Sequence, residues 1–233
     1  MYGPQIAKQY KAYRPPLHQV ILKECFESNQ QFSKALDIGC GVGHSAVALL
    51  PYCKTIVGID ASQAMLDEAH AHHKISYELH GELPSRWDDR EFDLITFAGS
   101  LFYCKSPALI QDCLRIMNDT GIIVVYDFTV NLNPVLIGLG LQPQESDYDP
   151  TINLDDVLDL QVQYENKQKH TFTISRADLV HILFTDTNIR AQLSLQTSAE
   201  GTDVISNLLT ERMPTDSIIC EADLYCRRYQ IRA

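Results

Sequence analysis

The stretch that most constrains this chain is Ala35-Leu36-Asp37-Ile38-Gly39-Cys40-Gly41-Val42-Gly43-His44. It opens as a short apolar strand, breaks into a turn with glycine at three alternate positions, and runs into Ser45-Ala46-Val47-Ala48-Leu49-Leu50, which reads as a helix. Glycine tolerates positive φ and lets a backbone come close to a ligand. The helix start that follows leaves N–H groups without intrahelical partners. A strand, a glycine turn and a helix in that order build a nucleotide-type site at the carboxyl end of a sheet strand. The spacing here is D-x-G-x-G-x-G. The dinucleotide fingerprint G-x-G-x-x-G needs glycine at position 44, where this chain has His44.

The residues that follow alternate strand and helix signals. Thr55 to Asp60 reads as a second buried strand, and its terminal acid lies 23 residues after Asp37. An acid at that strand end can accept hydrogen bonds from both hydroxyls of a ribose. Ser62 is placed to cap a helix carrying Met65, Leu66 and Ala69 inward. Ile75 to His80 alternates as a third strand, and Phe92 to Ala98 is a fourth, followed by Gly99. Ser106-Pro107 opens a helix, since proline suits the first helical turn, with Leu109, Ile110, Cys113, Leu114 and Met117 as its apolar face. Residues 118–121 read as a turn, and Ile122 to Tyr126 is a fifth strand closed by Asp127. Such alternation specifies an α/β domain built on a parallel sheet.

The flanks are less regular. The head is polar and ends in Tyr13-Arg14-Pro15-Pro16, after which Leu17, Val20, Ile21, Cys25 and Phe26 fall near one helical face. From 129 to 150 the periodicity dissolves, as in an inserted loop or lid. Leu158, Leu160, Val162 and Tyr164 alternate like a strand. Ser175 and Asp178 form a capping box for a helix through Leu179, Ile182 and Leu183. A further helix is expected over 203–212, and 217–231 reads as a closing strand.

Charge and cysteine usage narrow the class. Nineteen basic against thirty acidic residues give a net charge of −11, with no clustered Lys and Arg. A nucleic-acid partner is therefore not expected. Seven scattered cysteines without a C-x-x-C pair fit reduced thiols and a cytoplasmic protein rather than a disulfide framework. No apolar run approaches the ~20 residues that span a bilayer, so no membrane partner is expected. His70 and His73 share the end of a helix, but no third ligand is in view, and they read as a solvated cation cluster with no metal. A chain of 233 residues suits one domain: a core over about 30–130, a cap over 1–20, a lid over about 129–190 and a closing strand over 217–231.

Asp37 to Gly43, Gly58-Ile59-Asp60-Ala61-Ser62, Glu82-Leu83-Pro84, Phe92-Asp93-Leu94 and Gly121-Ile122-Ile123 occur in the order used by class I S-adenosylmethionine (SAM) methyltransferases, which the chain resembles over residues 30–130. The head, Ala7-x-x-Tyr10-x-x-Tyr13-Arg14-Pro15, resembles the small-molecule branch that includes trans-aconitate methyltransferases. The resemblance implies a Rossmann-like, doubly wound, seven-stranded sheet, mostly parallel with an antiparallel last strand, plus lid insertions. It implies SAM as cofactor. Gly39, Gly41 and Gly43, with Cys40 between them, would let the backbone approach the methionine part, and Asp37 would order that loop. Asp60 would hold the ribose hydroxyls. Ala61 and Met65 would pack on the adenine, with Glu82 and Leu83 at its edge. Ala98 and Gly99 would lie near the sulfonium. Tyr10 and Arg14 would close over the site, Arg14 reaching the cofactor's carboxylate with a fork suited to it.

One departure is informative. Many relatives carry histidine at the position of Phe102, so no general base is assigned there. Tyr103, His18, Asp127 and His170 are the remaining proton-accepting candidates. The N/D-P-P-Y/F acceptor motif of nucleic-acid amino methylases is absent after Phe97. The expectation is methyl transfer to a small-molecule acceptor by a monomer or homodimer. Its rivals are a SAM-binding regulatory or inactive protein, a protein methyltransferase, and a nicotinamide-dependent reductase, which His44 and the lack of a Tyr-x-x-x-Lys pair oppose.

Overall fold

The computed structural model describes residues 3–81, 83, 87–143, 147–196, 202–213 and 215–232. In chain order the elements are α1 (Pro4–Ala12), α2 (Leu17–Cys25), β1 (Phe32–Ile38), α3 (His44–Ala48), β2 (Cys53–Asp60), α4 (Gln63–Leu66), β3 (Ile75–Leu79), β4 (Phe92–Ala98), α5 (Leu101–Cys104), α6 (Pro107–Ile116), β5 (Met117–Val130), α7 (Asn133–Gly138), β6 (Leu160–Ser175), α8 (Arg176–Thr185), α9 (Thr187–Gln196), α10 (Thr202–Arg212) and β7 (Ser217–Ile231).

The strands form one sheet in the order β3-β2-β1-β4-β5-β7-β6. The first five run parallel, and β7 lies antiparallel between β5 and β6. The strands of the parallel part read as continuous apolar runs because both faces are covered. One face carries α2 and α3, with Leu17, Ile21, Ala46 and Leu49 packed on Leu94, Val124 and Tyr126. The other carries α6, with Ile110, Cys113 and Ile116 packed on Leu36, Ile95 and Ile123. Strand order reverses between β1 and β4, so the loops leaving their carboxyl ends open a crevice.

Beyond β5 a third apolar cluster joins α7 through α10, with Leu136, Leu179, Leu183, Ile205 and Leu209 at its centre. The segment expected to be lid is thus of two kinds. Residues 160–175 form the edge strand of the main sheet, and the helices pack separately.

Several local readings differ from expectation. Residues 118–121, expected to form a turn, belong instead to β5, with the Asn118 carboxamide accepting the Thr120 N–H at 3.1 Å. They sit there as an irregularity, between the pairs Phe92–Met117 and Leu94–Ile122. The polar head carries α1, which sequence periodicity does not reveal. Ser62 precedes α4 but its hydroxyl caps nothing and is buried without a hydrogen-bond partner, while its N–H donates to the Asp60 carboxylate at 2.8 Å. Leu158 is 83% exposed, outside the strand that its alternation suggested. Ser175 caps α8 as read, the Asp178 N–H donating to Ser175 Oγ at 3.0 Å, but the Asp178 carboxylate takes the Ser175 hydroxyl, at 2.6 Å, and not the backbone N–H that a full capping box uses.

Candidate active site

The glycine loop after β1 lies in the crevice. Gly39 has φ +72°, and a Cβ there would stand 2.4 Å from the Cβ of Ser100, on the loop leaving β4. Gly43 has φ +86°, and a Cβ there would meet the Tyr77 hydroxyl at 2.1 Å. Neither position admits a side chain, so the loop presents bare backbone. The N–H groups of Gly39 and Cys40 both turn back to the Ile59 carbonyl, at 2.8 and 3.0 Å. Cys40 is buried, its thiol facing Gly58.

Asp37 sits beneath this loop with no exposed surface. Its carboxylate accepts Ser45 Oγ at 2.5 Å and Thr96 Oγ1 at 2.8 Å. Burial raises its pKa to about 6, against the lowering effect of those two hydrogen bonds. It therefore ties β1, α3 and β4 together from below and is walled off from the crevice.

Asp60 faces the crevice from the end of β2. One carboxylate oxygen accepts the Gly41 N–H at 2.8 Å, the other the Ser62 N–H at 2.8 Å. Both oxygens keep acceptor capacity, since a carboxylate offers about four lone-pair sites. Ala61 beside it is exposed.

Helix α1 crosses above. Its Ala7 is fully buried with Val42 of the glycine loop and Met65 of α4, and Tyr10 packs alongside. His44 Nε2 donates to the Tyr10 carbonyl at 2.7 Å. Burial holds His44 neutral, its pKa lowered to about 4. The residue that departs from the dinucleotide fingerprint is thus the tether of the head. Lys11 reaches Glu68, just past α4, at 3.3 Å, and Gln9 Oε1 bonds His181 Nδ1 at 2.5 Å on α8.

Arg14 follows. Its guanidinium carbon lies 5.2 Å from the Tyr10 ring centroid and 4.9 Å from that of Phe128. Its charge is felt by His18, His44, Tyr103, Asp127 and Tyr148, so it stands where the head, the glycine loop and the end of β5 meet.

At the ends of β4 and β5, Tyr148 donates its hydroxyl to Asp127, and the same oxygen lies 3.0 Å from the Gly99 carbonyl. Asp127 is buried, which raises its pKa against the bonds from Tyr148 and the Phe128 N–H. A recess between these strands is lined by Gly99, Leu101, Asp127, Tyr148, Pro150 and Ile152. At its rim Tyr103, 70% exposed, stacks on Tyr148 at 5.5 Å, with Phe102 edge-on to Tyr148 at 5.0 Å. From sequence Tyr148 counts only among the aromatics Tyr10, Tyr13, Tyr148, Tyr164 and Phe172 of the head and expected lid, which suggest a partly apolar acceptor; its irregular acidic stretch carries no periodic signal that would place it beside Asp127.

Of the residues singled out from sequence, Tyr10, Arg14, Gly39, Gly41, Gly43, Asp60, Met65, Gly99, Tyr103, His18 and Asp127 converge on this crevice. Ala98 packs at the end of β4 against the core. Leu83 is buried in the core beside Trp87, and Glu82 falls outside the described residues. His170 stands apart, paired with Ala222 at the sheet's edge. Among the described residues no three His, Cys, Asp or Glu side chains are grouped to hold a metal ion, and no helix is long and apolar enough to cross a membrane.

Fold and site together define a Rossmann-like protein with a crevice at the point where the strand order of its sheet reverses. Residues 36–125 match the model of the methyltransferase domain family. A Dictyostelium discoideum protein named as a methyltransferase is 27% identical over 127 residues, 53% of this chain and 47% of its own length. The ubiquinone biosynthesis O-methyltransferase of Pseudomonas fluorescens is 30% identical over 108 residues, 43% of this chain and 46% of that protein. The chain spans about half the length of these curated relatives. A solved structure from Anaeromyxobacter dehalogenans, described as a type II methyltransferase, shares the fold over 94% of this chain and 98% of its own, with a TM-score of 0.61 and 14% identity. Over residues 36–125 the chain is similar to a methyltransferase domain, and the relatives it matches are named as methyltransferases, one of them as SAM-dependent.

Proposed function

We propose that this protein transfers the methyl group of SAM to a small-molecule acceptor. The observation that carries the reading is the Asp60 carboxylate, pinned by two backbone N–H groups beside a loop whose Gly39 and Gly43 leave no room for a side chain, beneath a head helix. That arrangement suits an adenosine ribose at Asp60 and the methionine part over Gly39 and Gly41. Met65 and Ala61 would flank the adenine, with Gly99 near the reacting sulfur. Arg14 would meet the carboxylate. SAM supplies an electrophilic methyl carried on a sulfonium, so alignment of the acceptor can provide much of the rate, about 7–11 kcal/mol in well-oriented cases.

The acceptor would enter past Phe102, Tyr103 and Tyr148, whose rings suit a partly apolar molecule. Asp127 and the Tyr148 hydroxyl are the polar groups in the recess and the nearest candidates to take a proton. The trans-aconitate branch is favoured by the pattern Ala7, Tyr10, Tyr13, Arg14, Pro15 alone. The likeness to an enzyme of ubiquinone biosynthesis supports a small acceptor.

Incubation with SAM and a fractionated cell extract tests this. Formation of S-adenosylhomocysteine should follow the low-molecular-weight fraction. Turnover that follows the protein fraction would replace the reading with a protein methyltransferase. Binding without turnover in any fraction would favour a regulatory protein.

A further inference from the structure

His18 is the least explained residue of the site. It is the second residue of α2, a nine-residue helix whose N-terminus receives no side-chain cap. Its Nδ1 is enclosed without a hydrogen-bond partner, although the residue as a whole stays partly accessible. Enclosed imidazole nitrogens are ordinarily bonded, and one that is not costs free energy. The ring stands edge-on to Tyr126 and Phe128, with centroids 5.7 and 5.2 Å away.

Arg14 converges on the same place, its guanidinium 4.9 Å from the Phe128 ring. Among the described residues it has rings for neighbours but no carboxylate within ion-pair distance. An uncapped helix start also favours an anion. Three features that each want negative charge or a hydrogen-bond acceptor therefore meet near the end of β5: a cation that makes no ion pair among the described residues, an imidazole Nδ1 with no hydrogen bond and a helix N-terminus with no side-chain cap.

We propose that His18 is a positioning residue that, together with Arg14, holds the carboxylate of the cofactor's methionine moiety. The pair makes the site selective for ligands that keep the amino-acid end. This rests on the SAM reading above and assigns His18 a binding role in place of proton transfer. The imidazole donates one hydrogen bond, Arg14 supplies charge, and Phe128 spaces the two.

The test is a set of titrations of the full chain with S-adenosylhomocysteine and with 5′-methylthioadenosine, which keeps the nucleoside but lacks the amino-acid end. His18→Phe preserves the packing on Tyr126 and Phe128 and removes the hydrogen bond. His18→Gln retains a donor. Both are checked by thermal melting. A hydrogen bond to a charged group corresponds to roughly a tenfold to hundredfold change in affinity. His18→Phe should lose that factor for S-adenosylhomocysteine and leave methylthioadenosine unchanged, with His18→Gln in between. Arg14→Gln should show the same selectivity. Equal loss for both ligands, or none for either, would overturn the role of His18 while leaving the SAM reading intact. Binding of neither ligand by the unaltered protein would overturn both.

Discussion

Asp37 and Asp60 stand at the ends of adjacent strands and differ in everything except side chain. Asp60 is solvent-facing and held by backbone N–H groups, so it is free to meet a ligand. Replacing it with alanine should weaken SAM binding by roughly tenfold to hundredfold, because two hydroxyls would lose an ionised acceptor. Calorimetry reads this directly, and an unchanged dissociation constant would remove Asp60 from the site.

Asp37 is buried, with its pKa raised to about 6. A carboxyl whose folded pKa lies above its unfolded one contributes stability at low pH that is lost as pH rises through the folded value. Relative to Asp37→Asn, the unaltered protein should therefore gain about 2–3 kcal/mol between pH 7 and pH 4. Denaturant titrations at several pH values measure the difference. Parallel profiles would mean that Asp37 is ionised throughout.

Among the elements, α1 is held with little apolar burial of its own. It buries a single small side chain completely, Ala7, and is otherwise tied by His44, Glu68 and His181 through individual polar bonds. A segment with few buried apolar contacts opens at low cost. Ala7→Asp would place a charge between Val42 and Met65, and should abolish exchange protection in residues 4–12 and weaken SAM binding. Hydrogen exchange with and without S-adenosylhomocysteine is the measurement, and a variant that binds as before would make the head dispensable.

The same element shows where sequence runs out. The motif strand, β2, β4, α6 and β7 were legible because their apolar residues face a core on fixed periods and their caps are local. Helix α1 was not, since its contacts are tertiary and its sequence is polar. The full length of β6 was hidden because its outer half alternates charged residues, Glu165 and Lys169 pairing with Arg227 and Glu221 on β7 and Lys167 with Glu165 on β6 itself. Gly39 and Asp60 could be read as site residues from spacing. Tyr148 could not, since only the fold brings it 3.0 Å from Gly99.

At the scale of the whole molecule, the parallel half of the sheet supplies the crevice and α7–α10 form a separate cluster beside it. Helix α1 touches both, through Met65 and Val42 on one side and His181 on the other. Cofactor and acceptor would thus meet under an element anchored to each half. Everything in this picture depends on the crevice taking SAM. Titration of the full chain with S-adenosylhomocysteine, with NAD in parallel, tests that most directly. The expected result is saturable one-site binding of S-adenosylhomocysteine, abolished or strongly weakened in Asp60→Ala, and no heat with NAD. Binding of NAD in its place, or no binding of either, would contradict it.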